Sequence, residues 1–164
     1  MDSSKIAVTE VTDGFLSCQA VEDVTSGSFL TDLWGPVLDL PTAYTVQVDE
    51  HKHILPKGML AYFNHSCQPN AKFIYESRKI SYPSLDVDHE VSWYVVATRD
   101  IKKGEDVTFD YHTTEYDMAV HFQCNCAAET CLGKIKGFRY LSQEEQKRRS
   151  CDLSPVLKKL WNNP

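Results

Sequence analysis

The chain has 164 residues, 42% of them hydrophobic and 24% charged, which suits one globular domain with a core of its own and excludes a low-complexity or fibrous class. A net charge of −6 argues against a dedicated nucleic-acid module, which needs a basic surface; it suits a basic partner such as a Lys/Arg-rich peptide tail, and it equally serves solubility. No run approaches the roughly 20 apolar residues that span a bilayer, and Met1-Asp2-Ser3-Ser4-Lys5 has no apolar region of a secretory signal, so the six cysteines are expected in a reducing compartment, as thiols or metal ligands.

In chain order, a polar lead precedes a weak strand at 6–11. Gly14-Phe15-Leu16-Ser17-Cys18-Gln19-Ala20 and Val24-Thr25-Ser26-Gly27 follow. Residues 29–40 read as an apolar connection, since Pro36 and Pro41 argue against a helix interior. Residues 43–48 alternate and are β-branched, which predicts a strand, and 49–53 predict a turn. His51 and His53 in that turn have metal-ligand spacing but no third ligand nearby, and read as solvated. A turn at 56–58 and an apolar stretch at 59–63 lead into Asn64-His65-Ser66-Cys67-Gln68-Pro69-Asn70.

Polar residues 77–90 predict an exposed loop, 93–98 a strong strand, 99–105 a tight turn, and 106–111 the strand that follows. Toward the C-terminus, Ser142 predicts a helix N-cap with Glu145 as its capping-box partner. Lys147-Arg148-Arg149 read as a solvated basic face, and residues 156–161, after Ser154-Pro155, as an amphipathic tail. No internal repeat or second domain is evident.

The residues with the clearest chemistry are cysteines. Cys124-x-Cys126-x4-Cys131 supplies three thiolates, and structural zinc takes four ligands in a tetrahedron. Cys18 and Cys151 stand apart from this cluster and read as ordinary thiols.

The Asn64–Asn70 heptad, the stretch Ala97-Thr98-Arg99-Asp100-Ile101 leading through Gly104-Glu105 to Thr108-Phe109-Asp110-Tyr111, and the cysteine cluster together resemble SET-domain protein lysine methyltransferases with a post-SET zinc segment. The resemblance runs with gaps from about Gly14 to Leu141. It implies a mostly β fold of short twisted sheets: a SET domain at 1–121, a post-SET zinc segment at 122–141 and a C-terminal helical tail at 142–164. No pre-SET cysteine cluster is present, so its stabilising role would fall to packing or to a homodimer.

The activity implied is S-adenosylmethionine-dependent N-methylation of a lysine in a basic protein or peptide, a histone tail foremost, in the nucleus or cytoplasm. By resemblance Cys67 is the fourth ligand of one structural zinc, with Cys124, Cys126 and Cys131. Ser17, Asn64, His65 and Phe138 fall at cofactor-side positions, Phe138 where relatives pack an apolar residue over the adenine. Tyr111 is the phenol that orients a neutral amine; lysine is mostly protonated at neutral pH, so the site must accept the deprotonated form. Phe109, two residues earlier on a strand, would share its face and leave room for di- or trimethylation. Tyr44, Tyr62 and Phe73 are further candidates for an aromatic lysine channel.

Three positions depart from the pattern. Ser17 stands at the second glycine of a G-x-G turn, where glycine permits positive φ or close approach to a ligand. Ala127 replaces a glycine after the second clustered cysteine, and His112 follows Tyr111 where asparagine is common, which would introduce pH dependence near neutrality. The Ser17 change keeps open a non-catalytic binding or regulatory module, and a pocket reused on a small molecule.

Overall fold

The computed structural model describes residues 1–76, 78–80, 89–91 and 93–162. Its first unit is a hairpin of β1 (Ile6–Thr12) and β2 (Phe15–Ala20). Gly14 turns it at φ +80°, a conformation that glycine adopts without penalty. Ile6, Cys18 and Ala20 face the core from this hairpin.

β3 (Phe29–Leu33) is the first departure from expectation. Its run of buried residues from Leu30 to Leu33 pairs along a central strand, and the prolines limit structure only from residue 36 onward. β4 (Val37–Leu38), β5 (Val46–Asp49) and β6 (Lys52–Ile54) form a second sheet in the order β4-β6-β5. The expected turn at 49–53 therefore shrinks to the β5–β6 reversal, and His53 is buried on a strand rather than solvated. The strand expected at 43–48 begins at Val46.

Residues Gly58–Tyr62 form a 3₁₀ turn that delivers the chain to β7 (Asn64–His65). β8 (Ala71–Ile74) follows, then β9 (Arg78–Ile80) paired antiparallel with β10 (His89–Val91). The loop expected at 77–90 thus has paired ends; residues 77 and 81–88 lie outside the described residues. β11 (Trp93–Ala97) is the centre of a sheet ordered β3-β11-β8, burying Trp93, Val95 and Ala97 at the strand period of two.

β12 (Thr108–Phe109) pairs parallel with β7, Thr108 opposite Asn64 and Phe109 opposite His65. This junction brings the two distant motifs together. Asn70 fixes it: its side chain accepts from Thr108 N–H at 2.9 Å and donates to the Asp106 carbonyl at 2.8 Å. The strand expected at 106–111 ends at Phe109, because Asp110 caps a 3₁₀ turn over Tyr111–Thr113 by accepting from His112 N–H at 3.0 Å.

β13 (Phe122–Gln123) and β14 (Lys134–Ile135) pair across the cysteine-bearing loop. Beyond them lie α1 (Gln143–Arg148) and α2 (Pro155–Asn162). Ser142 Oγ accepts from Glu145 N–H at 3.2 Å as expected of an N-cap, whereas the Glu145 carboxylate pairs with Arg148 and Arg149. α2 starts on Pro155, with Ser154 Oγ accepting from Leu157 N–H at 3.2 Å.

Two clusters of apolar side chains hold the fold. The larger gathers β1–β3, the central sheet, Ile101, Val107 and Phe109. The smaller joins Phe138 to Leu153, Val156 and Leu157 under the C-terminal helices. No described helix is long and apolar enough to cross a membrane.

Candidate active site and thiol cluster

Tyr111 stands at a small, open cleft of about 50 Å³ whose wall includes Thr42, Tyr44, Val46, Phe109, Glu115 and Met118. The Tyr111 hydroxyl donates to the Phe63 carbonyl at 2.8 Å, where the 3₁₀ turn hands over to β7. That bond orients the phenol and uses its proton, leaving the oxygen lone pairs as acceptors. Burial, and then the charge of Glu115, push the phenol pKa above its ordinary value, so Tyr111 stays protonated at neutral pH.

Phe109 packs against Tyr111 with ring centroids 4.8 Å apart, although Tyr111 lies on a turn and not on the same strand. Tyr44 lies on the exposed rim of the cleft. The other two aromatic candidates are elsewhere. Phe73 sits behind Phe109, edge-to-face at 5.1 Å, and packs on Trp93 and Tyr75 as core. Tyr62 ends the 3₁₀ turn exposed, and its neighbour Ala61 lines the cleft in its place.

His65 connects the cleft to the cysteines. Its Nδ1 accepts from Tyr111 N–H at 3.1 Å, which puts the ring proton on Nε2, 3.3 Å from Cys67 Sγ. Burial pushes its pKa down to about 4, so the ring is neutral at physiological pH.

The thiols of Cys67, Cys124, Cys126 and Cys131 all lie within 4.8 Å of one another. A tetrahedron with Zn–S bonds of about 2.3 Å has sulfur–sulfur edges of about 3.8 Å, so the set can close around one ion. Leu132 N–H donates to Cys67 Sγ at 3.4 Å. Burial opposes ionisation of Cys126, but the Ala128 N–H and neighbouring groups overcome it and draw its pKa down to about 6. Burial pushes Cys124 up to about 11, so an ion would have to displace its proton. Ala127 sits at φ +57°, the left-handed conformation that a glycine would hold without strain.

Asp110 is buried beside Tyr111. Its carboxylate accepts from Arg149 Nε at 2.6 Å and lies 2.8 Å from His112 Nδ1. Burial favours the neutral acid, yet the His112 bond and the Arg149 guanidinium outweigh it and hold the pKa below the usual carboxylate range. Arg149 is therefore no solvated charge: it is 6% exposed, and Glu145 holds its other end. The His112 ring is likewise enclosed, 1% exposed.

On the cofactor side, Asn64 is half-buried on β7. Ser17 is completely buried, and its hydroxyl donates to Asp106 at 2.9 Å. It lies within β2 without positive φ, so the serine meets no backbone strain there. Phe138 is 0% exposed, packed between Tyr116 and Trp161 in the smaller cluster. Covering an adenine would require removing it from that cluster, against about 2–3 kcal/mol of burial.

Sequence reasoning missed Glu115 and Arg149. Glu115 sits in a polar run with no periodicity, and Arg149 ends a basic triplet; neither carries a local signal.

The SET-domain family profile matches residues 8–112. A histone-lysine N-methyltransferase, H3 lysine-36 specific, of Yarrowia lipolytica is 29% identical over 137 residues, covering 73% of this chain and 16% of that protein. Methyltransferase flvH of Aspergillus flavus is 31% identical over 123 residues, covering 75% of this chain and 56% of that protein. The crystal structure of KRYPTONITE in complex with mCHH DNA, H3(1-15) peptide and SAH aligns at a TM-score of 0.56 and 18% identity, covering 79% of this chain and 29% of that one. At that identity the likeness concerns the fold. The profile match, which takes in both the Asn64–Asn70 heptad and Phe109-Asp110-Tyr111, carries the assignment: the chain belongs to the SET-domain family.

Proposed function

We propose that the protein is an S-adenosylmethionine-dependent lysine N-methyltransferase. The observation that carries this reading is the Tyr111 phenol, locked by its own proton to Phe63 and facing a cleft with an aromatic wall. Such a cleft takes an aliphatic stem and an amine, and the phenol oxygen accepts from the amine and fixes its line of attack. When bound, S-adenosylmethionine supplies a methyl carbon activated by a positively charged sulfur.

Asn64 and His65 would hold the cofactor, with the backbone near Ser17. Ser17 fits, since its side chain is drawn away into the Asp106 bond. Phe138 in its present packing does not. The four thiols would hold one structural zinc with no open position, so the ion clamps residues 124–131 to Cys67 and takes no chemical step.

A basic peptide, with a histone tail first, is the substrate class favoured by the histone-lysine methyltransferases among the relatives and by the net charge of −6. Action on histones would place the protein in the nucleus. A small-molecule amine is the second reading: flvH, of which this chain spans more than half, is named a methyltransferase with no histone substrate, and a fold by itself does not fix the substrate.

Calorimetric titration of the zinc-loaded protein with S-adenosylmethionine tests the reading, followed by turnover on histone peptides, free lysine and simple primary amines. Micromolar binding with peptide turnover is expected. Binding with turnover on free amines alone would favour the second reading, and no binding by the folded protein would refute both.

A further inference from the structure

The reaction leaves one task without an owner in the site as described. The amine arrives protonated, and Tyr111, which donates to Phe63 and keeps its proton, is not the group that removes one. Glu115 lies in the right place. It follows the 3₁₀ turn that carries Tyr111, its backbone N–H donates to the Tyr111 carbonyl at 2.9 Å, and its side chain lines the same cleft as Tyr111 and Phe109.

Its carboxyl is held by β5, where Gln47 N–H donates to Oε1 at 3.0 Å. The Gln47 side chain in turn accepts from Tyr116 N–H at 3.1 Å, so the following residue is fixed too. A buried carboxyl without a structural ion pair is uncommon in a small domain. Asp110, a few residues away, has Arg149 as its counter-ion; no salt bridge to Glu115 occurs among the described residues. The groups facing Glu115 are the Gln47 N–H, the Thr114 hydroxyl and the phenols of Tyr111 and Tyr75, all neutral at physiological pH.

Resting on the methyltransferase reading above, we propose that Glu115 is the proton acceptor for the substrate amine. The N–H bond of the incoming ammonium breaks and an O–H bond forms on Glu115. The freed lone pair then attacks the methyl carbon of the sulfonium donor. The carbon–sulfur bond breaks with its electrons staying on sulfur, and the product leaves as a methylated ammonium. Burial raises the Glu115 pKa to about 7, where a general base is both ionised and effective near neutral pH.

The test compares wild type with Glu115→Gln, which keeps an acceptor for the Gln47 N–H. Equal calorimetric affinity for S-adenosylmethionine establishes that the variant is folded. In wild type, kcat/KM should rise to an inflection near pH 7 and level off. In Glu115→Gln it should fall by about 100-fold or more at pH 8, lose that inflection and climb with pH toward the ionisation of the amine itself. Independently of turnover, carbon-13 NMR of carboxyl-labelled glutamate should show one resonance titrating near pH 7 in wild type that is missing from Glu115→Gln. An unchanged rate and profile in the variant, or Glu115 titrating in the ordinary carboxylate range, would overturn the assignment alone. Absence of turnover by wild type on peptide or free amine would overturn the methyltransferase reading, and this assignment with it.

Discussion

The backbone N–H of Tyr111 donates to Nδ1 of His65 at 3.1 Å, and this single bond decides what the other face of the imidazole can do. With Nδ1 occupied as an acceptor, Nε2 carries the proton and directs it at Cys67 Sγ, 3.3 Å away. The thiol cluster and the backbone of Tyr111 are therefore two ends of one relay, built from the parallel pairing of β7 with β12. A group at second remove from a metal orients its ligand and tunes its basicity.

Metal removal should reach the cleft through that relay. Chelation is expected to release one zinc per chain, to lower the unfolding temperature and to abolish turnover, although no ligand belongs to the cleft. Elemental analysis paired with thermal unfolding checks this, and Cys131→Ser should reproduce it. Retention of full activity by metal-free protein would separate the two ends.

Ala127→Gly should tighten the same loop. Its left-handed backbone at φ +57° costs an L-residue about 1 kcal/mol, so glycine is expected to raise zinc affinity severalfold in competition with a chelating dye.

Arg149 should prove to be a keystone of the C-terminal segment. Arg149→Met leaves the buried Asp110 carboxylate without its guanidinium and only His112 to bond it, which is expected to cost about 3 kcal/mol in urea unfolding. Asp110→Asn in the same chain should recover part of the loss. The pH dependence follows from the depressed Asp110 pKa. Its contribution is fully present above the unfolded value of about 4 and is lost as pH falls through the lower folded value. Wild type should therefore lose stability in acid more steeply than the double variant.

The sign is opposite at Glu115. Its folded pKa of about 7 exceeds the unfolded value, so stability from this group is greatest in acid and declines as pH rises toward 7. Glu115→Gln removes the decline. Relative to wild type it should gain on the order of 2–3 kcal/mol between pH 5 and pH 8, measurable by urea unfolding at the two pH values.

Ser17→Gly tests the departure from the glycine turn. The buried Ser17–Asp106 bond at 2.9 Å should make the glycine variant less stable, by about 1–2 kcal/mol. Affinity for S-adenosylmethionine should not improve, because the backbone at Ser17 has no positive φ to relieve.

The parts legible in the sequence were those whose signal is local. The heptad, Phe109-Asp110-Tyr111 and the cysteine spacing each occupy a few consecutive residues, and Trp93–Ala97 shows its period directly. What escaped depends on distant partners. Phe29–Leu33 is a strand because Trp93–Ala97 lies beside it, a relation invisible within residues 29–40. The sequence points Phe138 toward a cofactor, but Leu153 encloses it together with Val156 and Leu157 of α2, a helix that the sequence presents only as an amphipathic tail. Arg149 looked solvated because the carboxylate that buries it is at residue 110.

Methyl transfer from labelled S-adenosylmethionine to a lysine-containing histone H3 peptide, measured by mass spectrometry for zinc-loaded wild type and Tyr111→Phe, tests the central claim most directly. Wild type should add methyl groups to a lysine side chain; Tyr111→Phe should bind the cofactor equally well and turn over at least about 100-fold more slowly, a loss expected when a positioned acceptor disappears. Equal turnover by the two proteins, or none by wild type that binds the cofactor, on peptide or free amine, would contradict the account.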